Sequence, residues 1–154
     1  MQSQSTSVIN MLNAFRLENP EVVQDIPVWH FCDNEIDAND CGELVLSGDK
    51  QATSPSLWGI ERRKEPMPQV GDLDLITNWQ GEALAIIQTK SVKLVAFNKI
   101  SQAYAFKEGE GDKSLTYWKE VHWLYYQREL APFDMEPTTE MPIVCIEFEV
   151  IFKL

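Results

Sequence analysis

Two β-rich stretches decide most of what this chain can become. Leu73 to Asn78 and Ala83 to Val95 are dominated by residues that favour strands, and only Trp79-Gln80-Gly81-Glu82 separates them, a connection of hairpin length. A third stretch, Ile143 to Phe152, is apolar with Glu147 and Glu149 on one face, and reads as a closing strand. Helical patterns supply the other layer. Val8, Met11, Leu12 and Phe15 recur at helical spacing, predicting a helix from Ser7 to Glu18 that stops before Pro20. A second helix is expected over Asn34 to Ser47, carrying Ile36, Leu44 and Leu46, with Gly48 placed for a left-handed cap. A third is expected from Asp112, as N-cap, to Gln127, with Leu115, Trp118, Val121, His122 and Tyr125 on one side. Val28-Trp29-His30-Phe31 reads as a connector. The stretch TSPSLWGIE reads as strand, and residues 61–72, with Pro66, Pro68 and Gly71, as turn. No internal repeat or linker divides the chain. This order predicts an α+β protein built around a curled sheet or barrel.

A chain of 154 residues with 44% hydrophobic and 10% aromatic content can bury one real core and is not disordered. Its 13 Lys+Arg against 24 Asp+Glu give a formal charge of −11. Such a protein repels polyphosphate at long range, so RNA or DNA contact has to rest on a local basic patch, whereas a neutral or cationic small ligand meets no barrier. No apolar run approaches the roughly 20 residues that span a bilayer. The start, MQSQSTS, has neither a basic segment nor an apolar signal core. A cytoplasmic protein without a membrane partner is therefore expected. Cys32, Cys41 and Cys145 make no disulfide framework by number or spacing, and with His30 and His122 they match no paired-ligand zinc pattern. Neither metal nor cofactor is expected.

Three groups of residues carry possible chemistry. Gly48-Asp49-Lys50-Gln51-Ala52-Thr53 is a G-x-K-x-x-T at a helix-to-strand junction. If Lys50 and Thr53 converge, a partly desolvated amine can act as the base that activates the hydroxyl; otherwise Lys50 is a surface cation after a helix C-terminus. Glu108-Gly109-Glu110-Gly111-Asp112 leads into the third helix. Asp112 is accounted for as a cap, while Glu108 and Glu110 exceed what a cap needs and can face a ligand. Arg62-Arg63-Lys64 is the only run of three cations. It is a solvated loop tip or, with Lys90 and Lys93, a phosphate contact. Of the tryptophans, Trp118 and Trp123 lie in a helix whose pattern already explains their burial.

The G-x-K-x-x-T element, TSPSLW, VGDLDLI, IIQTKSVKLVAF, EGEGDKSLTYWKEVHW and VCIEFEVIF, in this order, resemble the ASCH domain family, and within it the bacterial branch with an EGEGD-helix segment. The resemblance covers about Ile26 to Phe152 and implies a domain over residues 26–154, preceded by an N-terminal tail and helix over residues 1–25. It implies a PUA-like β-barrel with flanking helices and an N-terminal helical extension. The cleft implied near G-x-K-x-x-T suits single-stranded RNA or a modified nucleoside. Small members of the family resemble amidohydrolases that remove the acetyl group from N4-acetylcytidine with a Lys, a Thr and a Glu. Lys50 and Thr53 match the first two, and the third falls on Glu110, with Glu108 as the alternative. Gly48, Glu108, Ser114, Arg62 and Arg63 are the expected substrate-binding residues. Other members of the branch resemble metal-independent ribonucleases, for which Lys50 and Ser114 are the residues to test. A non-catalytic interaction protein that keeps a relic cleft is the third reading.

Overall fold

Ser5, Asn34, Ser56, Ser101 and Ser114 each precede a helix and accept a backbone N–H from its first turn. They define α1 (Thr6–Glu18), α2 (Glu35–Ser47), α3 (Leu57–Arg62), α4 (Gln102–Glu108) and α5 (Leu115–Leu130). The structure, a computed structural model, describes residues 3–154. Its strands are β1 (Val28–Trp29), β2 (Ala52–Thr53), β3 (Leu73–Thr77), β4 (Ala83–Ala96) and β5 (Pro142–Phe152). They form a five-stranded mixed sheet in the order β1-β3-β4-β5-β2, in which β1 runs parallel to β3 while β3/β4 and β2/β5 are antiparallel. The chain is an α+β protein, as expected. No closed barrel is found among the described residues: β1 and β2 are the two edges of the order.

By internal contacts the chain forms two compact units. The first comprises residues up to Gly48, Gly71–Gln88 and Glu149–Leu154. Here α1 buries Val8, Met11, Leu12 and Phe15, the residues its spacing marked, against Ile26, Leu75 and Ile86. Full burial of such side chains contributes about 1.5–3 kcal/mol each before the entropy of ordering is subtracted. The β3–β4 hairpin forms as expected, with Gly81 at φ 86 in its turn. Helix α2 ends at Ser47 with its left-handed cap at Gly48 (φ 84), as expected, and begins one residue later than expected because Asn34 is its N-cap. Its buried face, however, is Ala38, Cys41, Gly42 and Val45, and Ile36 is 73% exposed. Small residues win that face because the helix packs closely: a Cβ on Gly42 would lie 2.6 Å from Leu84.

The second unit comprises Asp49–Val70 and Thr89–Phe148. Trp118, Tyr126 and Leu130 of α5 meet Phe97, Ile100 and Ala105, and Met141, Ile143 and Cys145 at β5. Three expectations are corrected in this unit. LWGIE, read as strand, lies in α3: Ser56 caps the helix by accepting the Gly59 N–H, and Gly59 and Ile60 are its buried residues. Residues 102–108, not expected to form an element, are α4. The cap of α5 is Ser114 rather than Asp112, whose Oδ1 instead accepts the Ser114 N–H at 2.8 Å. The buried residues of α5 are Trp118, His122, Tyr126 and Leu130, whereas Leu115, Val121 and Tyr125, expected on the same side, are half-buried.

Candidate functional site: a buried Lys50–Glu108–His122 cluster

Residues 49–51 and the end of α4 are held backbone to backbone. The Gln51 N–H donates to the Lys107 carbonyl at 2.7 Å, and a Cβ on Gly109 would lie 2.0 Å from the Asp49 carbonyl oxygen. Gly109 also caps α4 with φ 76, so glycine is required there twice over. This close approach places Lys50 beside Glu108, the last residue of α4, and both are 2% exposed. The Lys50 amine donates to the Ala52 carbonyl at 2.9 Å and to Glu108 Oε2 at 3.2 Å, and lies 3.6 Å from Glu110 Oε1.

Glu108 is saturated. Oε2 receives Lys50 Nζ and His122 Nε2, each at 3.2 Å, while Oε1 receives Trp118 Nε1 at 2.8 Å and a short bond from Ser54 Oγ. Four donors fill the lone-pair capacity of one carboxylate. Burial by itself would raise the pKa of Glu108, but Lys50 and His122 outweigh it and hold the group well below the usual carboxylate range. The charge state of His122 follows from geometry. Its Nδ1 faces the Trp118 carbonyl at 2.8 Å and its Nε2 faces a carboxylate, so both nitrogens meet pure acceptors and both carry protons. Burial opposes that charge, and the Glu108 carboxylate overcomes it, so the imidazole pKa is raised. The ring stacks on Trp118 with centroids 4.0 Å apart.

Around this core, the Tyr104 hydroxyl lies 2.7 Å from Ser54 Oγ and 2.9 Å from the Thr53 carbonyl, and Tyr126 donates to the Ser54 carbonyl at 2.8 Å. Burial, reinforced by Glu108, pushes both phenols well above their ordinary pKa, so they remain neutral donors. Lys50, His122, Glu108 and Glu110 therefore make a quartet of two cations and two carboxylates. Glu108, Glu110 and His122 offer ligand atoms within 4.8 Å of one another. The Lys50 ammonium already supplies positive charge at that point, so the triad is occupied as an ion-pair cluster rather than arranged as a metal seat.

The expected site residues divide. Lys50, Glu108 and Glu110 come together. Glu110, 18% exposed at its side chain, is the carboxylate a ligand can reach. Thr53 joins the network through its carbonyl, and the amine bonds described above go to Ala52 and Glu108. Gly48 is the C-cap of α2. Arg62 is exposed at the end of α3, whereas Arg63 pairs with Glu65 and Glu129. Glu129 is held in turn by Ser56, and a Cβ on Gly59 would overlap its carboxylate. Arg63 is thus committed to tying α3 to α5. Ser114 spends its oxygen on the Tyr117 N–H as the α5 cap. Ser54, Tyr104, Trp118 and His122 belong to the network and were not expected in it. A buried face containing Trp118 and His122 one helical turn apart was the available signal for two of them.

The family model for the ASCH domain matches residues 27–152. The chain belongs to the ASCH domain family. The ASCH domain of Lactobacillus crispatus is similar to it at 32% identity and a TM-score of 0.91, covering 99% of both chains. A protein of Enterococcus faecalis under the family model DUF984 is similar at 34% identity and a TM-score of 0.87, covering 94% of this chain and 88% of that one. No functionally curated relative matches. No helix among the described residues is long and apolar enough to cross a membrane.

Proposed function

We propose that this ASCH protein belongs to the bacterial branch carrying the EGEGD-helix segment and is an amidohydrolase acting on an acylated nucleoside of the N4-acetylcytidine type. The observation that carries the reading is the 3.6 Å approach of Glu110 to the buried Lys50 amine, which pairs two members of the Lys, Thr and Glu set. The surroundings of Lys50 assign it a different task from that of a base. Two carboxylates and a carbonyl favour its ammonium form, and an ammonium stabilises the oxyanion that develops on the acyl carbonyl. Glu110 is then the proton carrier, because Glu108 has no lone pair left to offer. In the acylation step Thr53 Oγ attacks the acetyl carbon and its proton passes to Glu110. The C–N bond breaks as Glu110 returns that proton to the exocyclic nitrogen, releasing cytidine and leaving an acetyl ester on Thr53. Water attacks the ester by the same proton route and releases acetate.

The test is cytidine release from N4-acetylcytidine by the purified protein, with Lys50→Met, Thr53→Ala and Glu110→Gln beside the parent. The reading expects turnover in the parent and a loss of about a hundredfold or more in each variant. Absence of turnover, or turnover untouched by the three substitutions, overturns it. A second reading has its own support. Arg62, Lys64, Lys90 and Lys93 are all exposed, which suits single-stranded RNA bound by phosphate contacts, as in a ribonuclease or an RNA-binding module. That reading expects affinity to fall steeply with salt, and a flat salt profile removes it.

A further inference from the structure

A second pair of side chains with chemistry of its own lies in the first unit. Cys32, on the segment between β1 and α2, and Cys41, on the buried face of α2, have their sulfurs 3.4 Å apart with no disulfide between them. Two features make this more than a chance contact of thiols. The backbone at Cys32 is left-handed, with φ 64, a conformation that a residue bearing a Cβ adopts only at a cost. The flanking residues are also fixed. Phe31 is 5% exposed and packs edge-on against Trp29, and Asn34 caps α2 through the Asp37 N–H. The sulfurs are thus held in contact by elements on both sides of Cys32.

We infer that Cys32 and Cys41 form a reversible intramolecular disulfide when the protein meets hydrogen peroxide. Cys32 is half-buried while Cys41 is 4% exposed, so the oxidant reaches Cys32 first. The Cys32 thiolate attacks one peroxide oxygen, the O–O bond breaks, and Cys32 becomes a sulfenic acid as water leaves. Cys41 then attacks the Cys32 sulfur, the S–O bond breaks, and a second water departs. The peroxide is reduced by two electrons and the two thiols are oxidised to one disulfide, with the sulfurs closing from 3.4 Å to about 2.05 Å. Cys145 is the internal control: it is 4% exposed, and burial pushes its thiol pKa up to about 12, so it stays protonated and unreactive.

The experiment treats the full-length protein with hydrogen peroxide, quenches it, alkylates in denaturant and measures intact mass and tryptic peptides. Counted without its alkyl groups, the expected product is about 2 Da lighter than the reduced protein; it carries one alkyl group where the reduced protein carries three, contains a Cys32–Cys41 cross-linked peptide, and reverts with dithiothreitol. Its Tm rises by about 5 °C, because the cross-link restricts a short loop in the unfolded chain. Cys145→Ser keeps the reaction. Cys32→Ser, at the more exposed position, abolishes it and gives no mass loss. The inference is overturned by three alkylatable thiols after treatment, by a cross-link that includes Cys145, or by sulfinic or sulfonic acid at Cys32 as the main product.

Discussion

Replacing Glu108 with Gln changes one charge in the quartet and almost nothing in shape, and the cost can be worked from the contacts. A glutamine presents one oxygen and one NH2 group where the carboxylate presents two oxygens. If the amide nitrogen takes the place of Oε1, it faces Trp118 Nε1, which can only donate. If it takes the place of Oε2, it faces Lys50 and His122. In either orientation a buried donor loses its partner, and two buried cations lose half of their compensating charge. Breaking a buried ion pair from one side costs about 3–5 kcal/mol. For a chain of this size that is a fall in Tm on the order of 10 °C. Urea unfolding at pH 5.5 should show the midpoint reduced and the slope unchanged. A variant within about 1 kcal/mol of the parent would refute the reasoning, since that is the scale of an exposed pair rather than a buried one.

The same pair sets a pH window. The folded pKa of Glu108 lies below its ordinary value of 4.5, so its contribution is present above that pH and is lost as pH falls through the folded value. The folded pKa of His122 lies above its ordinary 6.5, so its contribution is complete below 6.5 and fades as pH rises through the folded value. The stability gap between the parent and Glu108→Gln should therefore be widest between these two values and narrow on both sides. A gap independent of pH would mean that the pair is not ionised as described.

Two further substitutions separate position from chemistry. Gly109→Ala forces a Cβ into the Asp49 carbonyl at φ 76, and a loss of at least about 2 kcal/mol is expected by urea unfolding; a neutral result would mean that the end of α4 is free to move away from residues 49–50. Ser114→Ala should cost about 0.5–2 kcal/mol as a lost N-cap and leave turnover per folded molecule unchanged, whereas a loss of turnover at full folding would return Ser114 to the reacting group.

What was legible in the sequence followed the reach of the physics behind each signal. Helix α1, the β3–β4 hairpin, β5 and the Gly48 cap depend on local periodicity and on one glycine, and all were readable. Helix α3 was not, because TSPSLWGIE alternates acceptably as a strand, while the Ser56 cap and the packing of Gly59 under the Glu129 carboxylate arise only in the fold. Helix α4 is seven residues long, too short for periodicity to assert itself. The site was half legible for the same reason. Glu108 and Glu110 stood out as charges beyond what a cap needs, and Lys50 through the G-x-K-x-x-T element. The roles of Ser54 and Tyr104 come from contacts across more than fifty residues, such as the bond from Ser54 to Glu108, and that of His122 from its meeting with Glu108 on another helix, and no local rule encodes those.

The two glutamates illustrate how one spacing yields two different groups. Gly109 takes a left-handed φ of 76 at the end of α4, and Gly111 another of 58, where a Cβ would overlap the Tyr117 ring. The chain turns sharply between Glu108 and Glu110, so both carboxylates face the same ammonium, from inside the unit and from its surface. Burial with four donors makes Glu108 a fixed counter-charge that cannot exchange a proton near neutral pH. Glu110, on the exposed side of the same amine, is left as the carboxylate of the quartet able to meet a ligand. A carboxylate at 108 should therefore matter for stability, and one at 110 for chemistry. In the double variant Glu108→Gln/Glu110→Gln, the loss of stability should match that of Glu108→Gln alone within about 1 kcal/mol, the scale of a partly exposed pair, and the loss of turnover per folded molecule should match that of Glu110→Gln alone. If Glu110→Gln costs as much stability as Glu108→Gln, the two carboxylates share one structural task and the division fails.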